Sequence, residues 1–442
     1  MTHATRAANH LPTPLIEPLT RPLTRFLHIE SASGVVLLVC AALALALANT
    51  AAAPAYHAFW HTPVHLEIGP WKLGGELGHF VVNDVLMTVF FFVVGLEIKR
   101  ELVAGELRDP RKAALPIAAA LGGMLVPAGL YMALQAKQFG EQPFRGWGVP
   151  MATDIAFVVG VMAVLGKRIP IGLKVLLLSL AIADDIGAVV VIAAFYSTGL
   201  DGFMLMVAAG GFAVVRGLNK LGVRAVPVYA LVGAGIWLAV FKSGVHPTVA
   251  GVLLGLLTPS ALWVGRDALR LAMTDVVARI VDADDDPDAG ELQVMAFAAK
   301  ESVSPLERLE RQLHPWVGFV IMPLFALANA GVPIELKAIT APVAVAVTVG
   351  LFLGKPLGVV LLSFLAVRLG IAELPRGVSW PVVLGAGFLA GIGFTMSLFV
   401  AGLAFEGEPH LLTDAKIGVL SGSVLSAVVG AGLLLATLRK PR

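Results

Sequence analysis

Long apolar runs fill most of the chain between residues 31 and 438, separated by short polar stretches. A helix that crosses a bilayer needs roughly 20 such residues, and fewer where it is interrupted. The runs are continuous rather than alternating with a period of two, which favours helices over a β-barrel. The pattern predicts about twelve transmembrane helices, over residues 31–50, 79–103, 112–136, 147–166, 171–197, 201–219, 224–241, 246–258, 314–333, 340–369, 380–404 and 413–438.

Three segments fall outside this pattern. Residues 1–30 contain scattered prolines and no apolar core, which predicts an N-terminal tail. Residues 62–73 alternate apolar and polar side chains around Gly69-Pro70, which predicts a β-hairpin. Residues 259–313 form a charged loop that contains the run DADDDPDAG (282–290). Because like charges repel, we expect this run to be solvated rather than to bind a metal.

Basic residues cluster in alternate loops, and such clusters stay in the cytoplasm. If both termini are cytoplasmic, every cluster falls on the cytoplasmic side, while the loops at 197–202 and 402–414 are nearly free of Lys and Arg. This agrees with an even number of spans and puts the hairpin on the periplasmic side. The clustered residues are Lys99, Arg100, Arg108, Arg111, Lys112, Lys167, Arg168, Arg216, Lys220, Arg224, Arg368 and Arg376.

The composition supports a membrane protein. Of 442 residues, 57% are hydrophobic and 14% are charged, and the mean hydropathy is +0.85, outside the range of a soluble domain. The 47 glycines and 27 prolines suit membrane helices, which approach closely and break locally. A formal charge of +2 gives no argument for nucleic acid. We therefore predict an all-α polytopic membrane protein that binds no nucleic acid.

Polar and ionisable residues inside the predicted spans are the strongest functional signal, because a charge at membrane depth is costly. One buried ion pair could simply lock two helices together, but a single lysine leaves at least two carboxylates unexplained. The residues in question are Asp84, Thr153, Asp154, the adjacent Asp184 and Asp185, and Lys355.

The fourth and eleventh predicted spans each carry a helix-breaking pattern. Pro150 lies shortly before Asp154, and residues 385–393 contain four glycines. Two interrupted segments in corresponding halves of a transporter predict a binding site at the membrane midplane. If the segments cross, Asp154 could neutralise the N-terminal ends of the half-helices and Lys355 the C-terminal ends. The alternative is that the glycines only permit close helix packing.

Adjacent positions on a helix point about 100° apart, so Asp184 and Asp185 cannot both face one small ion head-on. One can line a cavity while the other turns toward a neighbour such as Lys355. A hard cation such as Na⁺ or Li⁺ prefers oxygen ligands, and a protonated carboxyl group must release its proton to provide them. Alternate exposure of such a site would exchange cations for protons.

Several motifs closely resemble the bacterial NhaA sodium/proton antiporter family. The resemblance runs from about residue 31 to the last span and is interrupted by the charged loop. The motifs are VNDVLMTVFFFVVGLEIKREL (82–102), PMATDIAFVVGVMAVLGKRIP (150–170), LAIADDIGAVVV (180–191), FKSGVHPTVAGVLLG (241–255), LHPWVGFVIMPLFALANAGV (313–332), GKPLG (354–358) and GFLAGIGFTMSLF (387–399).

The resemblance implies an electrogenic, non-enzymatic antiporter of the bacterial inner membrane. It would extrude Na⁺ or Li⁺ in exchange for H⁺, need no cofactor, respond to alkaline pH and support pH homeostasis and salt tolerance. It implies inverted repeats with two crossed discontinuous helices, the fourth and the eleventh. It also implies a homodimer that forms through the hairpin at 62–73.

Residue roles follow from the same resemblance. Asp185 matches the principal carboxylate for the transported Na⁺ and H⁺, and Asp184 matches its partner, which pairs alternately with Lys355. Thr153 and Asp154 resemble the residues at the crossing of the two broken helices, and they are expected to take part in ion and proton binding.

Other matched residues have supporting roles. Asp84 resembles a membrane-embedded acid that assists transport. Arg311 departs from some relatives, which carry a histidine at that position, and this bears on the pH set point. The residues that resemble the cytoplasmic cluster linked to the pH response are Glu97, Arg100, Glu101, Glu310 and His314.

Three other functions remain open from the residues alone. A membrane prenyltransferase would need two DxxxD-type motifs at the membrane face, near Arg or Lys residues that can hold phosphates, whereas ADD lies amid apolar residues and DADDDPD lies in a loop. An intramembrane aspartyl protease could use Asp154 and Asp185 on facing helices, but it does not explain Lys355 or the paired broken helices. A passive cation channel would conduct ions without proton coupling.

Overall fold

A computed structural model describes residues 30–68, 71–138, 140–197, 199–282, 289–334 and 336–438. Within these ranges the regular structure is helical, apart from one β-hairpin. Most of the predicted N-terminal tail (1–29), the Gly69-Pro70 turn and the centre of the acidic run (283–288) lie outside the described residues.

The first half of the chain contains the hairpin and nine α-helices. A π-helical segment, Leu77–Leu86, continues directly into α3, and a 3₁₀ segment, Gln142–Met151, precedes α5. The elements are α1 (Glu30–Ala48), α2 (Ala53–Trp60), β1 (Pro63–Ile68), β2 (Trp71–Glu76), α3 (Met87–Ala104), α4 (Pro110–Leu134), α5 (Ile155–Leu165), α6 (Ile171–Phe195), α7 (Gly202–Lys220), α8 (Val226–Lys242) and α9 (Thr248–Leu257).

The second half is helical throughout its described regular structure. Single π-helical turns, Val317–Ile321 and Gly350–Gly354, join α12 to α13 and α15 to α16. The helices are α10 (Arg266–Asp282), α11 (Ala289–Glu301), α12 (Pro305–Trp316), α13 (Met322–Asn329), α14 (Leu336–Ile339), α15 (Pro342–Val349), α16 (Lys355–Arg368), α17 (Trp380–Ala390), α18 (Phe394–Ala404) and α19 (Pro409–Thr437).

Within the described ranges, seven helical stretches are long and apolar enough to cross a bilayer. Two bent pairs raise this number to nine: α1 with α2, at 117°, and α17 with α18, at 49°. The apolar helices α8 and α9 are shorter. The prediction of a multi-pass helical membrane protein is confirmed. The seven stretches are Leu77–Ala104, Pro110–Leu134, Gln142–Leu165, Ile171–Phe195, Gly202–Lys220, Pro342–Arg368 and Pro409–Thr437.

Glycine brings two of these helices into backbone contact. Gly122 of α4 faces Gly358 of α16, and a Cβ atom on either residue would overlap the carbonyl group of the other. Gly354, next to Lys355, packs against Pro127 of α4 in the same way. Close backbone approach at small residues is typical of membrane helices, which gain van der Waals contact from it. This packing fixes the position of the helix that carries Lys355.

The predicted β-hairpin is confirmed and extends to Glu76. Strands β1 and β2 are antiparallel, with Pro63 opposite Glu76 and Ile68 opposite Trp71. Before the hairpin, the Nδ1 atom of His61 lies 2.7 Å from a carboxylate oxygen of Glu76. In a two-stranded sheet, each strand keeps one edge that could pair with another strand.

The charged segment at 259–313 is more regular than its composition indicated, since it contains α10, α11 and α12. Its two ends are held together at Glu301, whose carbonyl oxygen accepts hydrogen bonds from the backbone N–H groups of Trp263 (3.3 Å) and Val264 (3.2 Å). The Glu301 carboxylate pairs with Arg224 and lies 3.5 Å from Arg308. Burial raises the pKa of the Glu301 carboxyl group, but the hydrogen bonds and charges of the two arginines outweigh burial and hold that pKa below its usual value.

We expect Glu301→Gln to lower the melting temperature of the protein in detergent near neutral pH. The substitution leaves Arg224 and Arg308 without their buried counter-charge, at a cost of about 2 kcal/mol. Because the folded pKa is lowered, this stabilisation is complete above the unfolded pKa, about 4.3, and is lost as the pH falls through the folded pKa. The difference from wild type should therefore shrink as the pH falls below about 4.3 and through the lowered folded pKa. The exposed Glu141→Gln serves as control, and an equal effect there would contradict the prediction.

Candidate functional site

The polar centre of the protein forms at a break in the fourth predicted span. The 3₁₀ segment ends at Met151, and α5 begins at Ile155. Ala152 and Asp154, on either side of Thr153, have extended backbone conformations. The backbone N–H and C=O groups released by such a break need partners at membrane depth.

A second break supplies those partners. In the eleventh predicted span α17 ends and α18 begins after a short interruption, so both predicted interruptions are confirmed. The backbone N–H of Asp154 donates to the carbonyl oxygen of Ile392 at 2.7 Å. The Thr153 hydroxyl lies 2.8 Å from the carbonyl oxygen of Ala390. The two interrupted segments therefore contact each other through their non-helical backbone.

Asp154 lies at the N-terminal ends of two half-helices. One carboxylate oxygen accepts a hydrogen bond from the backbone N–H of Phe157 in α5, at 3.1 Å. The other accepts from the backbone N–H of Thr395 in α18, at 3.1 Å, and from the Thr395 hydroxyl. Helix N-termini carry partial positive charge, so the buried carboxylate and the two helix ends stabilise one another.

Asp184 forms a buried ion pair with Lys355. The Lys355 Nζ atom lies 2.6 Å from Asp184 Oδ2 and also donates to the carbonyl oxygen of Met151, at the end of the 3₁₀ segment. The Thr153 hydroxyl lies 2.6 Å from the same Asp184 oxygen. Because a hydroxyl has one proton, Thr153 can donate to Asp184 or to Ala390, but not to both at once.

Asp185 points in a different direction from Asp184, as adjacent helical positions require. It lines a cavity of about 550 Å³, whereas the described lining residues do not include Asp184 or Lys355. Thr153 and Asp154 line the same cavity. Asp185 is only 5% exposed, so the cavity leads to a carboxyl group that is otherwise enclosed by protein.

Charged residues of α3 and α12 also line this cavity, beside many apolar residues. Arg100 pairs with Glu310. Burial raises the pKa of the Glu310 carboxyl group by more than the charges of Arg100 and His314 lower that pKa. One carboxylate oxygen of Glu101 accepts a hydrogen bond from the backbone N–H of Glu106 at 3.1 Å. The structure thus brings together the residues of the predicted pH cluster, which are Glu97, Arg100, Glu101, Glu310 and His314.

Asp84 is separate from this group and is not among the described residues that line the cavity. It is 3% exposed, and its carboxylate lies 3.5 Å from His79 Nδ1 and 3.7 Å from His246 Nε2. Sequence reasoning did not identify either histidine. His246 lies in the motif FKSGVHPTVAG, but nothing in the spacing of the chain indicates that it meets Asp84.

Sequence reasoning also missed Thr395, whose hydroxyl and N–H groups both bind Asp154. A local signal was present, because Thr395 comes directly after the glycine-rich break and begins a new apolar run. A second hydroxyl on α18, that of Ser397, donates to the carbonyl oxygen of Val149 at 2.8 Å. Both residues help to satisfy the polar groups of the fourth predicted span.

Comparison with known proteins gives matches along nearly the whole chain. Residues 24–434 match the family model described as Na⁺/H⁺ antiporter 1. The chain is 50% identical to the Na⁺/H⁺ antiporter NhaA of Rhodopirellula baltica, over 98% of this chain and 99% of that protein. It is 49% identical to the Na⁺/H⁺ antiporter NhaA 2 of Acidiphilium cryptum, over 96% of this chain and 94% of that protein. It is 48% identical to the NhaA of Rhizobium meliloti, over 96% of each chain.

We expect Lys355→Ala to destabilise the protein as well as to disturb the site. The substitution leaves the buried Asp184 carboxylate without its ammonium partner, which costs on the order of 3–5 kcal/mol. The melting temperature in detergent should fall clearly. The double variant Asp184→Asn/Lys355→Ala should recover part of the loss, because it also removes the uncompensated charge. If Lys355→Ala melts like wild type, the ion pair does not stabilise the fold.

Proposed function

The chain belongs to the NhaA family of Na⁺/H⁺ antiporters, and on that premise we propose that Asp185 is the carboxylate that binds the two ions in alternation. The protein is a multi-pass membrane transporter rather than an enzyme, and Na⁺ and H⁺ are its transported ions.

One observation carries the assignment to Asp185. Of the two adjacent aspartates, Asp185 lines the cavity, while Asp184 forms an ion pair with Lys355. A buried carboxylate needs a positive partner or a proton, because an isolated charge is costly away from water. At Asp185 a cation that enters through the cavity can meet this need, and so can a proton. The two states exclude each other, and this exclusion is the basis of exchange.

The neighbouring groups can complete a small cation site. Oxygen ligands suit Na⁺ and Li⁺, and Asp184 and Thr153 place a carboxylate and a hydroxyl next to Asp185. When the Thr153 proton is donated to Ala390, a lone pair of its oxygen becomes available to a cation. A cation between the two aspartates competes with Lys355 for Asp184. Asp154 has a fixed role, because it compensates two helix ends.

We propose a twelve-helix architecture with inverted repeats, in which the apolar helices that are too short to count among the seven long stretches also belong to membrane spans. In this proposal α8 and α9 are separate spans, and the ninth span begins only at the end of α12, at His314, and continues through the π-helical turn Val317–Ile321 and α13. The fourth and eleventh spans are the crossed discontinuous pair, in line with the contacts between their breaks. Asp84, paired with two histidines, supports transport from outside the cavity.

We also propose an orientation and an assembly. The cavity is lined by Arg100 and Arg311, so the rule for basic loops puts this end, and both termini, in the cytoplasm of the bacterial cell. The hairpin then lies on the periplasmic side of the inner membrane. A second copy that pairs with a free hairpin edge would give a homodimer.

The cavity-lining charges support a role in the pH response. The same cavity as Asp185 is lined by Glu97, Arg100, Glu101, Glu310 and His314, and a change in their protonation alters the local attraction for cations. Such control would serve pH homeostasis and salt tolerance by extruding Na⁺ or Li⁺ at alkaline pH.

We expect Asp185→Asn to abolish exchange, because an amide cannot alternate between a proton and a cation. Everted vesicles from cells that lack other antiporters are energised by respiration, and Na⁺, Li⁺ or K⁺ is added. Na⁺ and Li⁺, but not K⁺, should dissipate the proton gradient with wild type and with the control Asp267→Asn, and not with Asp185→Asn. Proton-coupled Na⁺ flux in Asp185→Asn would falsify the assignment. Na⁺ flux without proton movement in wild type would indicate a channel.

We expect Glu310→Gln to shift the pH profile of exchange to higher pH. The Glu310 pKa is raised by burial, so its carboxyl group loses its proton later than an exposed glutamate as the pH rises, and the amide imitates the protonated form. The measurement is initial exchange rate against pH at fixed Na⁺. Glu307→Gln, on the same helix and lining the same cavity, removes an equal charge. Identical profiles for the two variants would show that the effect is only general electrostatics.

A further inference from the structure

The 3₁₀ segment Gln142–Met151 is unusually long for its type. It has ten residues, whereas 3₁₀ runs longer than 3–4 residues are uncommon because their hydrogen-bond geometry is poor. It leads directly into Thr153 and Asp154. Contacts from outside the segment must therefore stabilise it.

Two buried tyrosine hydroxyl groups provide such contacts. Tyr131 of α4 donates to the carbonyl oxygen of Pro143 at 2.7 Å. Tyr196, the residue after α6, donates to the carbonyl oxygen of Arg145 at 2.9 Å and accepts a hydrogen bond from the backbone N–H of Gly148 at 3.2 Å. Tyr196 is therefore bonded to two positions of the 3₁₀ segment.

The packing around Tyr196 is close. The ring of Trp147 stacks on the Tyr196 ring, with a centroid distance of 6.4 Å and an interplanar angle of 25°. A Cβ atom at Gly148 would meet the Tyr196 hydroxyl at 2.5 Å. A Cβ atom at Gly146 would instead collide with the Tyr131 hydroxyl and with the ring of Phe405. Each glycine thus lets one tyrosine approach the segment.

The two tyrosines belong to different parts of the fold. Tyr196 directly follows α6, which carries Asp184 and Asp185, whereas Tyr131 belongs to α4. The 3₁₀ segment and its extension are consequently bonded to α6 at two points, at Tyr196 and at the 2.6 Å contact between Thr153 and Asp184. These points are roughly 17 Å apart along the helix, from its rise of 1.5 Å per residue.

We propose that the Tyr196 hydroxyl is a positioning group that sets the register between the 3₁₀ segment and α6, and thereby holds Thr153 beside the two aspartates. This inference rests on the proposed function, in which Thr153 is an ion ligand. During exchange the contact between Thr153 and Asp184 breaks and re-forms. The Tyr196 contacts keep the 3₁₀ segment in register with α6 while the contact between Thr153 and Asp184 changes.

The test compares Tyr196→Phe with Tyr131→Phe. Each variant keeps its ring and loses one hydroxyl that donates to the same 3₁₀ segment. The readouts are the apparent KM for Na⁺, the maximal exchange rate and the melting temperature. We expect Tyr196→Phe to raise KM about three- to tenfold, as for the loss of one or two hydrogen bonds, with a nearly unchanged maximal rate. Both variants should lower the melting temperature by a similar amount, and Tyr131→Phe should leave KM unchanged.

A second pair of variants approaches the same contacts from the other side. Gly148→Ala would displace the Tyr196 hydroxyl, and Gly146→Ala the Tyr131 hydroxyl, with both tyrosines retained. Gly148→Ala should raise KM as Tyr196→Phe does, and Gly146→Ala should not. This pair decides the question if either phenylalanine variant fails to fold.

An unchanged KM in Tyr196→Phe and Gly148→Ala, or equal increases in the matched controls, would overturn the proposal and leave Tyr196 a purely structural residue. Its failure is distinguishable from failure of the proposed function. If wild type exchanges Na⁺ for H⁺ and Asp185→Asn does not, the site assignment stands whatever Tyr196→Phe shows. If Asp185→Asn still exchanges the ions, the site itself is wrong.

Discussion

The structure depends on compensation of charge at membrane depth. A buried charge or an unpaired backbone group costs several kcal/mol in the bilayer, so each must meet a partner within the protein. Asp154 meets two half-helix N-termini, and Lys355 meets both Asp184 and the end of the 3₁₀ segment. These contacts explain why two interrupted helices are stable here: each break supplies the dipoles and carbonyl groups that the other requires.

This compensation also separates the roles of the acids. Asp154 and Asp184 have partners built into the fold, so their charges stabilise the arrangement of the helices. Asp185 lines the cavity, where its positive partner can arrive from outside the protein. An exchanger needs both kinds of acid. A site whose charges all had partners in the protein would gain nothing from binding an ion, and a site in which no charge had a partner would not fold.

The surrounding elements support the centre at increasing distance. The glycine contacts between α4 and α16 position Lys355, and the Tyr196 hydroxyl joins the end of α6 to the 3₁₀ segment that leads to Thr153. Farther out, the Glu301 carboxylate pairs with Arg224 and with Arg308, and Arg308 lies on α12, the helix that carries Glu310. The segment that contains α10 and α11 is thus anchored by an ion pair to α12, which also lines the cavity.

The sequence alone determined the helical class, the hairpin and the two interrupted spans, because apolar periodicity, turn residues and helix breakers act over a few neighbouring positions. It also singled out the buried acids and Lys355, since their cost does not depend on which residues surround them. The resemblance already indicated that Asp184 pairs with Lys355, whereas only the tertiary structure decided that Thr395 binds Asp154 and that Asp84 meets His79 and His246. Those contacts join segments far apart in the chain, and their geometry is set by how whole helices pack, which no local pattern records.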